Sequence, residues 1–219
     1  MKYIILYVET RTFLYNSFMI KAGIFDVGGV LHERVSKYIY KDIKRTLKIS
    51  NKVFHKNWHL VEDKLGKGLV TEEEFWQLFL KKTKSKESLP TKSLFLREFI
   101  KNYNRNEDVF DIVKKLKQNG YKVAVLSNTV KPHADYQNKI GIYQMFDPVI
   151  LSHEVGIKKP DPEIYKYVLK ILKLKAEEVF FTDDDIKNVE AGAELGMHAI
   201  LFENAKQLED DLIKLEVNI

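Results

Sequence analysis

Residues 179–201, VFFTDDDIKNVEAGAELGMHAIL, predict a strand, a helix and a second strand in direct succession. Residues 179–182 form a short apolar run of the kind found in buried strands. Residues 187–195 have the pattern of a helix that ends at Gly196, and residues 198–201 form another short apolar run. Two short strands joined by one helix are typical of a parallel pair in an α/β sheet.

The same alternation extends outward from this stretch. Apolar side chains recur at helical spacing, as at Phe110, Val113 and Leu116, or gather in short strand-like runs. The further helices are predicted over residues 107–119, 132–140, 162–172 and 205–215, and the further strands over residues 20–27, 122–127 and 148–152. We therefore predict an α/β fold with a doubly wound parallel sheet of at least five strands.

The stretch between the first two predicted strands has a different character. It contains several helical patterns and no strand-like apolar run. Thr71 and Glu74 form a capping box that opens a helix over residues 72–82. Residues 84–92 are polar and contain Pro90, so we expect a loop there.

Domain boundaries follow from these patterns. We predict an inserted helical cap over residues 34–104 and an α/β core that consists of residues 19–33 and 105–219. Residues 1–18 fit neither unit, because their apolar run is too short for the core of a signal peptide and no small-residue cleavage site follows it. We expect a non-core N-terminal extension before a native start at Met19; an added edge strand is the alternative.

Composition excludes several classes of protein. The 219 residues are 45% hydrophobic and 31% charged, which is an ordinary globular mix. The absence of cysteine excludes disulfide frameworks, thiolate zinc sites and cysteine nucleophiles. No apolar run approaches the ~20 residues that span a bilayer. The net charge of +5 comes mostly from scattered lysines, with no single basic stripe of the kind that binds nucleic acid. We expect a cytoplasmic protein without a nucleic-acid or membrane partner.

Polar side chains gather where the predicted strands end. They are Asp26; Ser127, Asn128 and Thr129; Lys158 and Lys159 in a loop; and Asp183, Asp184 and Asp185. Ligands of open α/β sheets bind outside the carboxyl ends of the strands. Crowded carboxylates repel one another unless a cation neutralises them, and Mg²⁺ prefers oxygen ligands and substrate phosphate. A carboxylate beside a metal-held phosphate can also act as a nucleophile. We expect Asp185 only to stabilise the N-terminus of the following helix, where a negative charge interacts favourably with the helix dipole.

Four segments resemble, in order, the four motifs of the haloacid dehalogenase-like hydrolase superfamily. They are FDVGGVL (25–31), VLSNT (125–129), GIKKPDPEIY (156–165) and FTDDDIKNVEAGAELGM (181–197). The helical insertion resembles the helical cap of that superfamily. Within the insertion, GLVTEEEFW (68–76) is similar to a segment that recurs in such caps. The consecutive acids of the last motif resemble the branch that includes sugar-phosphate phosphatases and the phosphatase domain of soluble epoxide hydrolase.

The resemblance implies catalytic roles for matching residues. Asp26 corresponds to the nucleophile. Ser127 and Asn128 correspond to the residues that bind the transferring phosphoryl group. Lys159, immediately before Pro160, corresponds to the cation that offsets negative charge on the nucleophile and the phosphate.

The resemblance also implies a Mg²⁺ site. Asp26 is then a ligand through its carboxylate and Gly28 through its backbone carbonyl. Asp184, together with Asp183, corresponds to the acidic ligands of the last motif. Asn188 is expected just outside these ligands.

One position departs from the superfamily's pattern. Its phosphatases usually carry a second aspartate two residues after the nucleophile, as general acid and base, whereas this chain has Gly28 there. Loss of a positioned acid or base typically costs ~10²–10⁴-fold in rate. Some sugar-phosphate phosphatases that resemble this chain share the glycine and are regarded as active. His32 and Glu33 are the alternative proton donors.

These observations predict a monomeric or homodimeric enzyme that hydrolyses a small phosphorylated metabolite with Mg²⁺, through an aspartyl-phosphate. A metal-independent dehalogenase is one alternative, which the acidic run disfavours because unneutralised carboxylates repel an anionic haloacid. A catalytically weak phosphate-binding or regulatory protein is the other, and Gly28 favours it. In the cap, Trp58, His59 and Trp76 are candidates for the substrate pocket, although aromatic residues at helical spacing are more often core.

Overall fold

The described part of the chain, residues 19–89 and 91–219 of a computed structural model, is organised around a five-stranded parallel sheet. The strands are β1 (Ala22–Phe25), β2 (Lys122–Ser127), β3 (Val149–Leu151), β4 (Val179–Asp183) and β5 (His198–Leu201). Their spatial order is β3-β2-β1-β4-β5, so β1 lies at the centre. The predicted extension at residues 1–18 lies outside the described residues.

Helices occupy the connections between the strands. Those that follow β1 are α1 (Ser36–Thr46), α2 (Asn51–Gly66), α3 (Glu72–Thr83), α4 (Leu94–Lys101) and α5 (Glu107–Gln118). Those that follow β2 are α6 (Lys131–Lys139), α7 (Ser152–Val155), α8 (Pro162–Leu172), α9 (Ile186–Glu194) and α10 (Ala205–Lys214). No helix of the described residues has the length and apolar character needed to cross a bilayer.

Two predicted strands are shorter in the structure than in the sequence analysis. The strand predicted at residues 20–27 covers only β1, because the Val27 carbonyl accepts hydrogen bonds from the N–H groups of Leu31 and His32 (2.9 and 3.2 Å), which turns the chain out of the sheet. The strand predicted at residues 148–152 ends at Leu151, because Ser152 opens α7. The other predicted strands and helices differ from the structure by at most one residue at either end.

Apolar side chains from helices cover both faces of the sheet. On one face, Phe25 belongs to a buried cluster with Val113 of α5 and Leu208 of α10. On the other face, Ile24 belongs to a second cluster with Ile164 of α8. Neighbouring residues of β1 therefore point into opposite layers, as the strand period requires. This arrangement confirms the predicted doubly wound α/β fold.

A third apolar cluster lies among helices α1–α4. It is rich in aromatic rings, including Phe54, Trp58, Phe75 and Phe95. The ring centroids of Phe54 and Trp58 are 4.8 Å apart in a stacked arrangement. We call helices α1–α4 the cap helices; the predicted limits of the cap at residues 34 and 104 stay a prediction.

The predicted capping box at the start of α3 is confirmed. The Glu74 N–H donates to Thr71 Oγ1 at 3.2 Å, and the Thr71 N–H donates to the Glu74 carboxylate at 2.8 Å. These two reciprocal bonds satisfy backbone donors that the first turn of a helix otherwise leaves unpaired.

The register of the sheet decides which residues meet at its carboxyl edge. Phe25 lies beside Val125 of β2 on one side and Thr182 of β4 on the other. The Asp26 N–H continues the ladder by donating to the Thr182 carbonyl at 2.9 Å. Asp26 and Asp183, each one residue further along, therefore emerge side by side.

Candidate active site

Three carboxylates meet at the carboxyl edge of the sheet. Oxygen atoms of Asp26, Asp183 and Asp184 all lie within 4.8 Å of one another. Asp26 and Asp183 are buried, and Asp184 is half-buried. The structure thus brings together the acids that the sequence analysis singled out. An all-oxygen set of this kind fits Mg²⁺.

One buried lysine connects two of these acids. The Nζ atom of Lys159 lies 2.7 Å from Asp26 Oδ1 and 2.6 Å from Asp183 Oδ2. It also donates to the Leu126 carbonyl at 2.6 Å, so each of the three N–H donors of the ammonium group has an acceptor. The neighbouring Lys158 points to the cap instead, where it pairs with Glu62 at 3.1 Å.

Burial and charge set the protonation of this group. Burial raises the pKa of Asp26 to about 6; the attraction of Lys159 opposes that shift, and repulsion from Asp183 adds to it. Burial acts to lower the pKa of Lys159, but the combined attraction of Asp26 and Asp183 raises it. The lysine therefore stays charged, and Asp26 is ionised at neutral pH.

Asn128 fixes the backbone that carries Lys159. Its side-chain Nδ2 donates to the Lys159 carbonyl, and its Oδ1 accepts from the Lys159 N–H, both at 2.8 Å. Sequence reasoning placed Asn128 beside the phosphoryl group and did not foresee this pair of bonds. Ser127 is buried and lines the same cavity as Asp26.

Two residues of the last motif orient Asp183. The Asn188 side chain donates to both Asp183 carboxylate oxygens, at 3.1 and 3.0 Å. The Asp185 N–H donates to Asp183 Oδ1 at 2.8 Å. The Asp185 carboxylate accepts from the Lys187 N–H at 3.1 Å, which is the helix-capping role expected for it.

Arg34 is a site residue that the sequence analysis missed. Its guanidinium forms an ion pair with Asp184 at 2.5 Å, across a separation of 150 residues. No local pattern links two positions so far apart, so only the fold reveals the pair. Arg34 lies between β1 and α1 and lines the same cavity as Asp26.

A cavity of about 330 Å³ separates this polar edge from the cap helices. Asp26, Ser127 and Lys159 line its floor, and Trp58 lies among the residues of the cap that line it. Trp76 does not line this cavity; it is buried and donates through Nε1 to Glu72 at 3.0 Å. His59 is exposed and also lies outside the lining.

Comparison with known proteins decides the family. The family model of haloacid dehalogenase-like hydrolases matches residues 20–196, which is most of the chain. The chain belongs to the haloacid dehalogenase-like hydrolase family.

Similarity to individual proteins is more limited. Drimenol cyclase drtB of Aspergillus calidoustus is 26% identical over 202 residues, which is 90% of this chain and 37% of that protein. Glyceraldehyde 3-phosphate phosphatase of Methanocaldococcus jannaschii is 39% identical over 102 residues, which is 44% of each protein. The match spans less than half the length of either relative.

A solved structure shares the fold over nearly the whole described chain. The haloacid dehalogenase-like enzyme bt-2542 of Bacteroides thetaiotaomicron, in complex with magnesium and inorganic phosphate, has a TM-score of 0.70 and 25% identity. The match covers 84% of this chain and 95% of that chain.

Gly28 stands where haloacid dehalogenase-like phosphatases usually carry their second aspartate. A Cβ atom added at Gly28 would meet only His32, at ordinary contact distances of 3.9 and 4.0 Å from Cε1 and Nε2. The His32 Nδ1–H donates to the Glu33 carbonyl at 2.7 Å, and Nε2 accepts from Gln137 at 3.0 Å. Burial lowers the pKa of His32, so the ring is neutral and carries no proton on Nε2.

Proposed function

We propose that this haloacid dehalogenase-like hydrolase cleaves small phosphomonoesters with Mg²⁺, through an aspartyl-phosphate on Asp26. The contact of buried Lys159 with both Asp26 and Asp183, at 2.7 and 2.6 Å, is the observation that carries the proposal. A cation fixed against the nucleophile offsets charge as a phosphate dianion approaches a carboxylate. In a site shielded from water, this attraction is stronger than it would be at the surface.

In the first step, a carboxylate oxygen of Asp26 attacks phosphorus in line with the leaving alcohol. The bond between phosphorus and the ester oxygen breaks as the new P–O bond forms. The pKa of about 6 leaves Asp26 ionised at neutral pH, as a nucleophile requires. The alcohol takes its proton from water, because Gly28 offers no acid at the leaving group.

In the second step, water attacks the phosphorus of the aspartyl-phosphate. The bond from phosphorus to the Asp26 oxygen breaks, inorganic phosphate leaves and the carboxylate is regenerated. Lys159 stabilises negative charge on the phosphoryl oxygens in both steps. The Ser127 hydroxyl donates to one of these oxygens, and Asn128 keeps Lys159 in place through its backbone.

Mg²⁺ is the cofactor that the donor set fits. The ligands would be carboxylate oxygens of Asp26, Asp183 and Asp184, which lie within 4.8 Å of one another, with the carbonyl of Gly28. The bound ion supplies positive charge that offsets the charge of the phosphoryl oxygens. Asn188 holds the Asp183 carboxylate in orientation.

Two similar proteins support this assignment. The Methanocaldococcus relative is a glyceraldehyde 3-phosphate phosphatase, and the Bacteroides enzyme was solved with magnesium and inorganic phosphate. We propose the same class of ligand for this chain, namely a small phosphorylated metabolite.

The direct test is hydrolysis of p-nitrophenyl phosphate with Mg²⁺ and with EDTA. We expect turnover with Mg²⁺, loss of turnover with EDTA, and loss of turnover in Asp26→Asn. Asp135→Asn, an exposed residue of α6, is the control and should retain full activity. Full activity in EDTA would overturn the metal's role. Release of chloride from 2-chloropropionate without phosphate hydrolysis would support a dehalogenase instead.

A further inference from the structure

We infer that the alcohol esterified to the phosphate is apolar, such as an alkyl or aryl alcohol rather than a polyol. This inference rests on the proposed function and names the substrate class of the same site. It comes from the wall of the cavity that faces the carboxylates.

The cap helices supply an apolar wall to this cavity. Ile39 of α1, Trp58 and Leu65 of α2, and Phe95 and Phe99 of α4 all line it. Each of these side chains is less than 5% exposed, so each is held in place by the packed cluster behind it. A substrate whose phosphate lies at Asp26 has these apolar side chains available to its alcohol in the same cavity.

Three polar side chains of the lining, His133, Glu62 and Arg34, have protein partners. His133 hydrogen-bonds through Nε2 to the Phe95 carbonyl at 3.0 Å, and its ring stacks on Phe99 with centroids 4.1 Å apart. Glu62 is paired with Lys158 at 3.1 Å, and Arg34 with Asp184 at 2.5 Å. Sugar hydroxyls brought against Ile39, Leu65, Phe95 and Phe99 would lose water and find no side-chain donor or acceptor on these residues, which is unfavourable. Methylene or aryl groups gain free energy from the same burial.

The size of the cavity limits the alcohol. A volume of about 330 Å³ lies at the small end of the range for ligand pockets. It must hold the phosphoryl group as well as the alcohol. We therefore expect gains from chain length to stop once the space beyond the phosphate is filled.

A series of n-alkyl phosphates tests the inference, because leaving-group pKa hardly changes along it while apolar area increases. Propyl, pentyl and heptyl phosphates are compared by kcat/KM with glycerol 3-phosphate, whose alcohol has as many heavy atoms as pentanol. We expect kcat/KM to rise by up to about 4-fold per methylene until the cavity is full. Pentyl phosphate should exceed glycerol 3-phosphate by at least about 10-fold.

Binding of n-alkylphosphonates to the Mg²⁺-loaded protein, measured by calorimetry, gives a readout that does not need catalysis. Their affinity should increase with chain length in the same way. Leu65→Asn should flatten this dependence, whereas Leu65→Met, which keeps the wall apolar, should preserve it. Thermal unfolding verifies that both variants fold; if Leu65→Asn does not, the two chain-length series decide.

The possible failures are distinct. A flat chain-length dependence, or preference for glycerol 3-phosphate, would overturn the inference while phosphatase activity stands. Absence of hydrolysis of every phosphate, p-nitrophenyl phosphate included, would overturn the proposed function. In that case a length-dependent phosphonate affinity would still support an apolar pocket.

Discussion

The Nζ atom of Lys159 lies 2.7 Å from Asp26 Oδ1, although 133 residues separate the two in the chain. Both side chains are buried, and the lysine side chain has no exposed surface. A buried ion pair stabilises the fold only while both partners are present, because removal of one leaves the other charged and out of water. The pair therefore links the stability of the fold to the chemistry of the site.

Replacement of Lys159 by methionine should destabilise the protein and abolish turnover. The change leaves Asp26 and Asp183 without their common cation, which typically costs about 3–5 kcal/mol. Lys158→Met is the control: its ion pair with Glu62 is partly exposed to water, so its loss should cost less than the loss of the fully buried Lys159. Urea unfolding at pH 7.5 measures both. Equal destabilisation by the two variants would contradict the expectation. Addition of Asp183→Asn to Lys159→Met should restore part of the lost stability.

Replacement of Gly28 by aspartate should change the dependence of rate on the leaving group. Without an acid at this position, kcat/KM should fall steeply as leaving-group pKa rises. The space around Gly28 accepts a Cβ atom at ordinary contact distance from His32, so the variant should fold. We expect Gly28→Asp to accelerate the hydrolysis of alkyl phosphates more than that of aryl phosphates. Gly28→Asn, which cannot act as an acid, is the control. A nearly flat dependence in the parent, with chemistry rate-limiting, would show that another residue supplies the proton.

Replacement of His133 by glutamine should reduce the loss of stability in acid. Burial lowers the pKa of His133 from 6.5 to about 4. As pH falls, the unfolded chain therefore binds the proton first. The stability contributed by the neutral ring is complete above pH 6.5 and is lost as pH falls towards 4. The unfolding free energy lost through His133 is about 2 kcal/mol, after a reduction for the partial exposure of the residue.

Urea unfolding at pH 7.5 and 4.5 measures that effect. The difference in unfolding free energy between the two pH values should be smaller in His133→Gln than in the parent. His59→Gln, an exposed histidine of α2, should behave like the parent. An unchanged difference in His133→Gln would show that other groups cause the acid sensitivity.

Replacement of Asn128 by leucine should lower kcat more than it lowers stability. The variant loses both hydrogen bonds to the Lys159 backbone, so the lysine is no longer held against Asp26. We expect a loss of about 10²-fold in kcat, which is the scale of a catalytic group displaced by about 1 Å. Asn138→Leu, on the exposed surface of α6, is the control. Retention of parental kcat in Asn128→Leu would show that Lys159 keeps its position without this contact.

Local patterns were enough to predict most of the fold. The helix at residues 162–172 and the strands at 122–127 and 198–201 have the predicted limits, because their apolar spacing and their end residues are encoded within each segment. The acids and Lys159 could be placed at one edge because the carboxyl ends of parallel strands meet there.

The contacts that hold the site together could not be predicted in the same way. Arg34 with Asp184 and Lys158 with Glu62 are pairs separated by 150 and 96 residues. The role of Asn128 in binding the phosphoryl group stays a prediction, and no sequence pattern indicated the two hydrogen bonds between its amide and the backbone of Lys159. Such contacts depend on how loops and the cap approach the sheet, which no periodicity records.

The central position of β1 has a consequence for folding during synthesis. The ribosome makes β1 first, but Ala22 finds its partner in β2 only at Lys122 and its partner in β4 only at Val179. At ~5–20 residues per second, this strand waits several seconds with both edges unpaired. The aromatic cluster of the cap helices consists almost entirely of residues made during that interval. We therefore expect the cap to pack first, while nascent β1 depends on chaperones to prevent it from pairing with other chains.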